Sequence, residues 1–162
     1  MSSEYINEYI KSFSLEEGFA AYQSVKELDT AIHDLLSQNY FSIVESPGGP
    51  YDAVIEAGEN RLVLNVKSLS DKSKLHNAKI AIPLRSFRSI IKDYFLIVES
   101  YQEMLQQGHV DKVEAVDMGR RGVHNEGAEM LLKLLENRIN MDFETARRIF
   151  TIITILHMRE GT

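Results

Sequence analysis

The spacing of apolar residues predicts strands in the first half of the chain and helices in the second. Two segments of β-forming residues, 51–57 and 61–67, flank a three-residue turn that contains glycine, which is the pattern of a β-hairpin. Shorter strands are predicted at 41–44 and 78–82. Pro83 should end the last of these strands, because proline cannot donate a hydrogen bond to a sheet ladder.

From residue 84 onwards the apolar residues recur at helical spacing. Steps of three and four residues predict a helix over 84–105, which Gly108 should end. This helix is apolar on all sides over 94–98, and such a segment is expected to be buried in the centre of the fold or in a subunit interface. A last helix is predicted over 143–156, with Asp142 as its N-cap.

In the N-terminal 39 residues the spacing of apolar residues is less regular than in the rest of the chain. Residues 15–39 carry one apolar stripe, which predicts a helix, whereas residues 5–13 fit either a short helix or an edge strand. Since strands dominate 41–82 and helices dominate 84–158, the chain of 162 residues is predicted to be one α+β domain. We expect a small antiparallel sheet of about three to four strands, packed with a layer of about four helices.

One stretch, 117–127, has a composition that a protein core does not need. This glycine-rich segment contains two arginines, a histidine, an asparagine, two carboxylates and three glycines. We predict a short helix over 111–118, a break in the glycine-rich segment, and a further helix over 128–138. His124 and Asn125 would then lie at a helix N-terminus, where free backbone amides beside arginines bind a carboxylate or phosphate. The candidate site residues are Asp117, Arg120, Arg121, His124, Asn125 and Glu126.

The residues of the glycine-rich segment are compatible with three roles. The segment can be a structural turn, in which Asp117 or Glu126 pairs with an arginine and the glycines serve a tight backbone. It can bind a small anionic ligand or a protein partner. It can also be the centre of a hydrolase or nuclease, since His124 is its only group that titrates near neutral pH. Arg147 and Arg148 would enlarge the same basic patch if the last helix lies beside it.

Composition narrows the choice of function. The chain has no cysteine, which excludes disulfides, thiol catalysis and cysteine-ligated zinc. No two histidines stand at helical ligand spacing, so neither a metal nor another cofactor is predicted. The formal net charge of −6 argues against nucleic acid as a partner. No signal peptide and no membrane-spanning run are visible, and we expect a cytoplasmic protein.

Three longer stretches of the chain resemble the uncharacterised protein family (UPF) 0262 of alphaproteobacteria. They are KDYFLI at 92–97, EAVDMGRRGVHNEG at 114–127, and DFETARRIFT at 142–151 with Leu156 and His157 after it. Shorter similar stretches lie at 27–39, 49–51 and 60–63, whereas the first twenty residues and 68–77 depart most from the family pattern. The resemblance implies a bacterial cytosolic protein and no particular activity.

The leading hypothesis is a non-enzymatic interaction or regulatory protein. We expect it to form a homodimer through the apolar helix faces at 94–98 and 150–156. The alternative is an enzyme that resembles helical nucleotide-binding domains of the higher-eukaryote-and-prokaryote (HEPN) type, which often act as ribonucleases. These domains carry an arginine and then a histidine, as Arg120 or Arg121 precedes His124, although the spacing here is shorter. The acidic chain argues against RNA as the substrate.

Overall fold

A computed structural model describes the fold over residues 7–16, 26–46, 48–70, 77–108 and 113–160. The strands within these ranges are β1 (Ile10–Leu15), β2 (Phe41–Ile43), β3 (Tyr51–Gly58), β4 (Arg61–Ser68), β5 (Asn77–Pro83) and β6 (Ile139–Met141). The helices are α1 (Lys26–Ser37), α2 (Arg88–Gln107), α3 (Val113–Leu135) and α4 (Phe143–Glu160), and a 3-10 turn at Leu84–Phe87 leads into α2. The predicted α+β class is confirmed.

The main sheet has the strand order β1-β3-β4-β5, and its strands are not all antiparallel. The expected antiparallel pairing holds for β3, β4 and β5, but β1 runs parallel to β3. A parallel pair needs a crossover connection, and the chain passes through α1 between these two strands. Of the ambiguous residues 5–13, those from Ile10 onwards form a strand, and residues 5 and 6 lie outside the described ranges. A separate two-stranded sheet pairs β2 with β6.

The predicted β-hairpin is confirmed as β3 and β4. Gly58 pairs with Arg61, so only Glu59 and Asn60 form the loop, which is one residue shorter than expected. Asn60 has a φ of 58°, a left-handed conformation that asparagine adopts more readily than most residues with a side chain. The strand β5 ends at Pro83, as its lack of a backbone N–H predicts.

Helix α4 lies at the centre of the helical layer. Its fully buried side chains within the described residues are those of Ala146, Phe150, Ile152, Ile153, Thr154 and Leu156. Asp142 is its N-cap, as predicted, because the Asp142 Oδ1 accepts a hydrogen bond from the Thr145 backbone amide at 2.9 Å. The apolar segment 150–156 is therefore covered largely within the chain itself.

Helix α2 is less buried than its sequence suggests. Gly108 ends the helix in a left-handed conformation, as predicted, with a φ of 77°. Only Ile90 and Ile91 of this helix are buried, whereas Phe95 and Leu96 are 40% and 53% exposed. The expectation that 94–98 is buried all round is therefore wrong for a single chain.

The glycine-rich segment differs most from its prediction. Residues 113–135 form one continuous helix, so the break after residue 118 and the helix start at His124 and Asn125 are both wrong. A glycine in a helix interior costs only about 1 kcal/mol relative to alanine. The packing of α3 between α2 and α4 outweighs that cost. At Gly127 a Cβ would collide with the Phe150 ring, so glycine allows α4 to approach α3 closely.

Two glycine-to-alanine substitutions in α3 should change stability in opposite directions. Gly127→Ala should lower the free energy of unfolding by about 1–3 kcal/mol, because the added methyl group overpacks against Phe150. Gly122→Ala should raise it by up to about 1 kcal/mol, because the site is open and alanine is the better helix former. Urea unfolding of both variants and the parent measures this. Equal effects at the two positions would contradict the close contact with Phe150.

Candidate functional site

A cavity of about 390 Å³ lies between α3, α4 and the C-terminal part of α1. Four arginines and a histidine line it together with two carboxylates and a hydroxyl, and we call it the arginine pocket. Its lining residues are Asp34, Arg120, Arg121, His124, Glu144, Arg147, Arg148 and Thr151. The last helix therefore does lie beside the glycine-rich segment, and its two arginines join the same basic patch.

Helical spacing places these side chains on facing surfaces. On α3, Arg120 and His124 are four residues apart and so lie on one side of the helix. On α4, Arg147 and Thr151 have the same spacing. The Thr151 hydroxyl donates to the Arg147 carbonyl oxygen at 3.0 Å, within the helix. Because α3 and α4 pack against each other, the two pairs meet at the pocket.

Two hydrogen bonds fix α4 to the segment that follows α1. The Nη1 of Arg148 donates to the Gln38 carbonyl oxygen at 2.7 Å. The Tyr40 backbone amide donates to the Thr145 Oγ1 at 2.9 Å. Both bonds join parts of the chain that are more than a hundred residues apart, and they hold the α1 wall of the pocket against α4.

The arginines of the pocket are only weakly neutralised by ion pairs. Within the described ranges, Arg120 forms an ion pair with Asp117, Nη2 to Oδ1 at 3.5 Å, and both side chains are partly exposed. Such a pair contributes at most about 1 kcal/mol. The Nε of Arg147 is buried and has no hydrogen-bond partner among the described residues. The expected pairing of Asp117 with an arginine is found, but its side chains are not buried and the segment is a continuous helix, so the predicted turn is absent.

His124 is held between two aromatic rings. It is only 9% exposed and meets the Tyr94 and Phe150 rings edge-on, with centroid distances of 5.1 and 5.8 Å. Its Nδ1 lies 3.2 Å from the Thr151 Oγ1. The Thr151 hydroxyl lies within reach of both the Arg147 carbonyl oxygen and His124 Nδ1, and the tautomer of the ring determines which group donates in the contact with His124. In either neutral tautomer one ring nitrogen keeps its lone pair.

The surroundings of His124 keep it uncharged at neutral pH. Burial, followed by the positive charges of Arg147 and Arg120, lowers its pKa from the ordinary 6.5 to about 4. Burial also raises the pKa of the neighbouring Tyr94 hydroxyl, although Arg120 opposes that shift. The arginine pocket thus holds four guanidinium groups around a neutral imidazole.

The predicted site residues are only partly brought together. Arg120, Arg121 and His124 line the arginine pocket, and Asp117 is joined to it through its ion pair with Arg120. Asn125 and Glu126 are exposed and do not line it, and Asn125 is not an N-cap because it lies inside a helix. Sequence reasoning missed the lining residues Asp34, Glu144 and Thr151, since nothing in their local sequence marks them as functional.

A second cavity, of about 690 Å³, adjoins the arginine pocket between α1, α2 and α4, and we call it the apolar cleft. Asp34 and Thr151 line both cavities. Within the described residues, no group of three or more histidine, aspartate or glutamate side chains is placed to hold a metal ion. None of the described helices combines the length and the apolar composition that a membrane span requires.

Comparison with known proteins places the chain among proteins without an assigned activity. The model of the uncharacterised protein family UPF0262 matches residues 10–159. A UPF0262 protein of Paramagnetospirillum magneticum is 44% identical over 133 residues, which is 82% of this chain and 83% of the relative. A UPF0262 protein of Caulobacter vibrioides is 41% identical over 156 residues, 94% of this chain and 95% of the relative. No solved structure matches. The resemblance drawn from the sequence is thus confirmed.

His124 should make the stability of the protein depend on pH between 6.5 and about 4. In that window the unfolded chain binds a proton at this histidine and the folded chain does not, so stability falls as the pH is lowered. We expect His124→Gln to remove up to about 2 kcal/mol of the loss in unfolding free energy between neutral pH and pH 4. Urea unfolding over this pH range measures it.

The exposed His33 on α1 provides the matched control for this experiment. The variant His33→Gln should keep the pH dependence of the parent protein. Parallel stability profiles for the parent and His124→Gln would show that the pKa of His124 is not lowered by folding.

Proposed function

The chain belongs to the uncharacterised protein family UPF0262, and we propose that it is a non-enzymatic binding module whose arginine pocket takes a small anion. The observation that carries this proposal is the convergence of four arginines on one partly enclosed cavity. Guanidinium groups recognise carboxylate and phosphate through paired, charge-assisted hydrogen bonds. We place this regulatory or interaction protein in the bacterial cytoplasm, which a cysteine-free chain suits.

The balance of charge in the pocket favours a compact anion. The four guanidinium groups outnumber the carboxylates of Asp34 and Glu144, and His124 adds no charge at neutral pH. The whole chain nevertheless has a net charge of −6, so a long polyanion such as nucleic acid would be repelled outside the pocket. The buried Nε of Arg147 is a donor that an anion in the pocket could satisfy.

A hydrolase or nuclease is the second candidate, and the neutral imidazole of His124 favours it. A general base at neutral pH needs an unprotonated nitrogen, which the neutral imidazole of His124 supplies. Mass spectrometry of the anion recovered after incubation with the protein separates the two functions. A binding module returns it unchanged, whereas a hydrolase returns a cleaved product, and this cleavage should be lost in His124→Ala.

We further propose that a second copy of the chain covers the exposed apolar side chains of α2. None of residues 92–107 is buried, although these sixteen of the twenty residues of the helix include several large apolar side chains. Leu96 is 53% exposed, and Met118 on the adjoining part of α3 is 64% exposed. The helices α2 and α3 of one chain cannot bury these apolar side chains by packing on each other. Two copies of the pair can bury them by forming a four-helix bundle.

Loss of two pocket arginines should weaken the binding of inorganic phosphate. We expect the double variant Arg120→Gln/Arg121→Gln to bind phosphate at least tenfold more weakly, because a hydrogen bond to a charged group contributes about 1.5–3 kcal/mol. The double variant Arg85→Gln/Arg88→Gln removes the same charge from exposed positions outside the pocket and should keep the affinity of the parent. Isothermal titration calorimetry measures both. Equal losses in the two variants, or no phosphate binding by the parent, would refute the anion site.

A charge at Leu96 should dissociate the proposed dimer. Sedimentation equilibrium of the parent should give twice the chain mass, and Leu96→Glu should raise the dimer dissociation constant at least tenfold. Leu134→Glu places the same charge at another partly exposed leucine, near the far end of α3, and should leave the dimer intact. A parent protein that stays monomeric up to its solubility limit would disprove the dimer.

A further inference from the structure

The apolar cleft is lined by little-exposed apolar side chains and by exposed polar ones. Ala31 is buried, and Val98 and Ile155 are half-buried. The half-buried ring of Tyr94 completes this apolar surface. The polar lining residues other than the half-buried Thr151 are exposed, among them Gln102, and so lie towards the entrance. This cavity offers a ligand apolar contacts in its interior and little charge there.

The apolar cleft and the arginine pocket are neighbouring cavities, and we call the two together the groove. Asp34 and Thr151 line both cavities, and the Thr151 hydroxyl is also the hydrogen-bond partner of His124. On the α2 side, the Tyr94 ring of the cleft touches the His124 ring of the pocket. A molecule with its anionic end at the arginines would therefore reach the cleft by passing Asp34 and Thr151.

From this proximity we infer that the ligand is a water-soluble organic anion with an apolar chain or ring, its anionic head on the arginines and its apolar part in the apolar cleft. The inference rests on the proposed anion-binding function and specifies the class of ligand. A bare inorganic anion would leave the apolar surface of the cleft in contact with water, whereas an attached hydrocarbon part gains free energy by covering it.

The dimensions and charges of the groove restrict this ligand further. The α1 wall of the cleft runs from Lys26 to Asp34, which is roughly 12 Å at the rise of an α-helix. That length suits a chain of several methylene groups. Asp34, at the junction of the two cavities, disfavours a second negative charge on the ligand just beyond its head. The acidic chain also opposes docking on an anionic membrane, which favours a free molecule over a bilayer lipid.

The test is a calorimetric titration of the full chain with inorganic, methyl, butyl and octyl phosphate, each below its micelle-forming concentration. We expect the affinity to rise about two- to fourfold for each added methylene group, until the cleft is full. Octylammonium, which has the same chain and the opposite charge, should bind at least tenfold more weakly than octyl phosphate. Vesicles that contain phosphatidic acid should not retain the protein.

Two variants assign the chain-length effect to the cleft. Val98→Gln should abolish the gain with chain length while the affinity for inorganic phosphate stays unchanged. Gln102→Leu, at the exposed entrance, should increase the affinity for octyl phosphate several-fold. This second variant tests the cleft even if Val98→Gln does not fold. Circular dichroism checks the fold of both.

The outcomes distinguish this inference from the function on which it rests. If binding depends on the arginines but the affinity does not change with the length of the alkyl chain, the inference of an apolar part on the ligand is wrong. The proposed anion site would still be supported. Absence of phosphate binding would overturn the anion site itself. Equal affinity for octyl phosphate and octylammonium, or binding only to vesicles, would also overturn the inference.

Discussion

Helices α3 and α4 pack so closely at Gly127 that the Phe150 ring stands where a Cβ would otherwise be. Side chains at a helix crossing determine how far apart the two axes lie, and glycine allows the closest approach. The same Phe150 ring meets His124 edge-on, one turn earlier on α3. The short distance between the helices thereby brings His124 within hydrogen-bond reach of Thr151. The geometry of the site therefore depends on a residue that takes no part in its chemistry.

The arginine pocket concentrates positive charge at a cost in stability. Four guanidinium groups share a small cavity, and the pairing of Arg120 with Asp117 is too exposed to offset their repulsion. His124 stays neutral because adding its charge would increase this repulsion. An anion in the pocket would relieve the repulsion between the arginines. Binding of the anion would therefore raise the stability of the helical layer. Such a local conflict between charge and stability is typical of a functional site.

Local sequence signals were sufficient to predict those helices and strands whose ends carry characteristic turn or cap residues. The hairpin of β3 and β4, the end of α2 at Gly108, and the start of α4 at Asp142 all follow from nearest neighbours in the chain. The helix through the glycine-rich segment could not be predicted in this way, because the packing of Gly127 under Phe150 is a tertiary contact. The arginines were recognisable by composition. Asp34, by contrast, reaches the pocket only because α1 lies beside α4, a proximity that local patterns do not contain.

The pairing of β2 with β6 has a consequence for the order in which the protein folds. Phe41 pairs with Met141, and the amide of Tyr40 bonds to Thr145, so each contact closes a loop of about a hundred residues. We expect contacts of such high sequence separation to form after the local hairpin and the single helices, because their loop-closure entropy is larger. During synthesis, α1 must wait for α4 to leave the ribosome before the two can meet. A growing chain therefore exposes the apolar side chains that α4 later covers, until this last helix has been synthesised. The chain is most prone to aggregate in that interval.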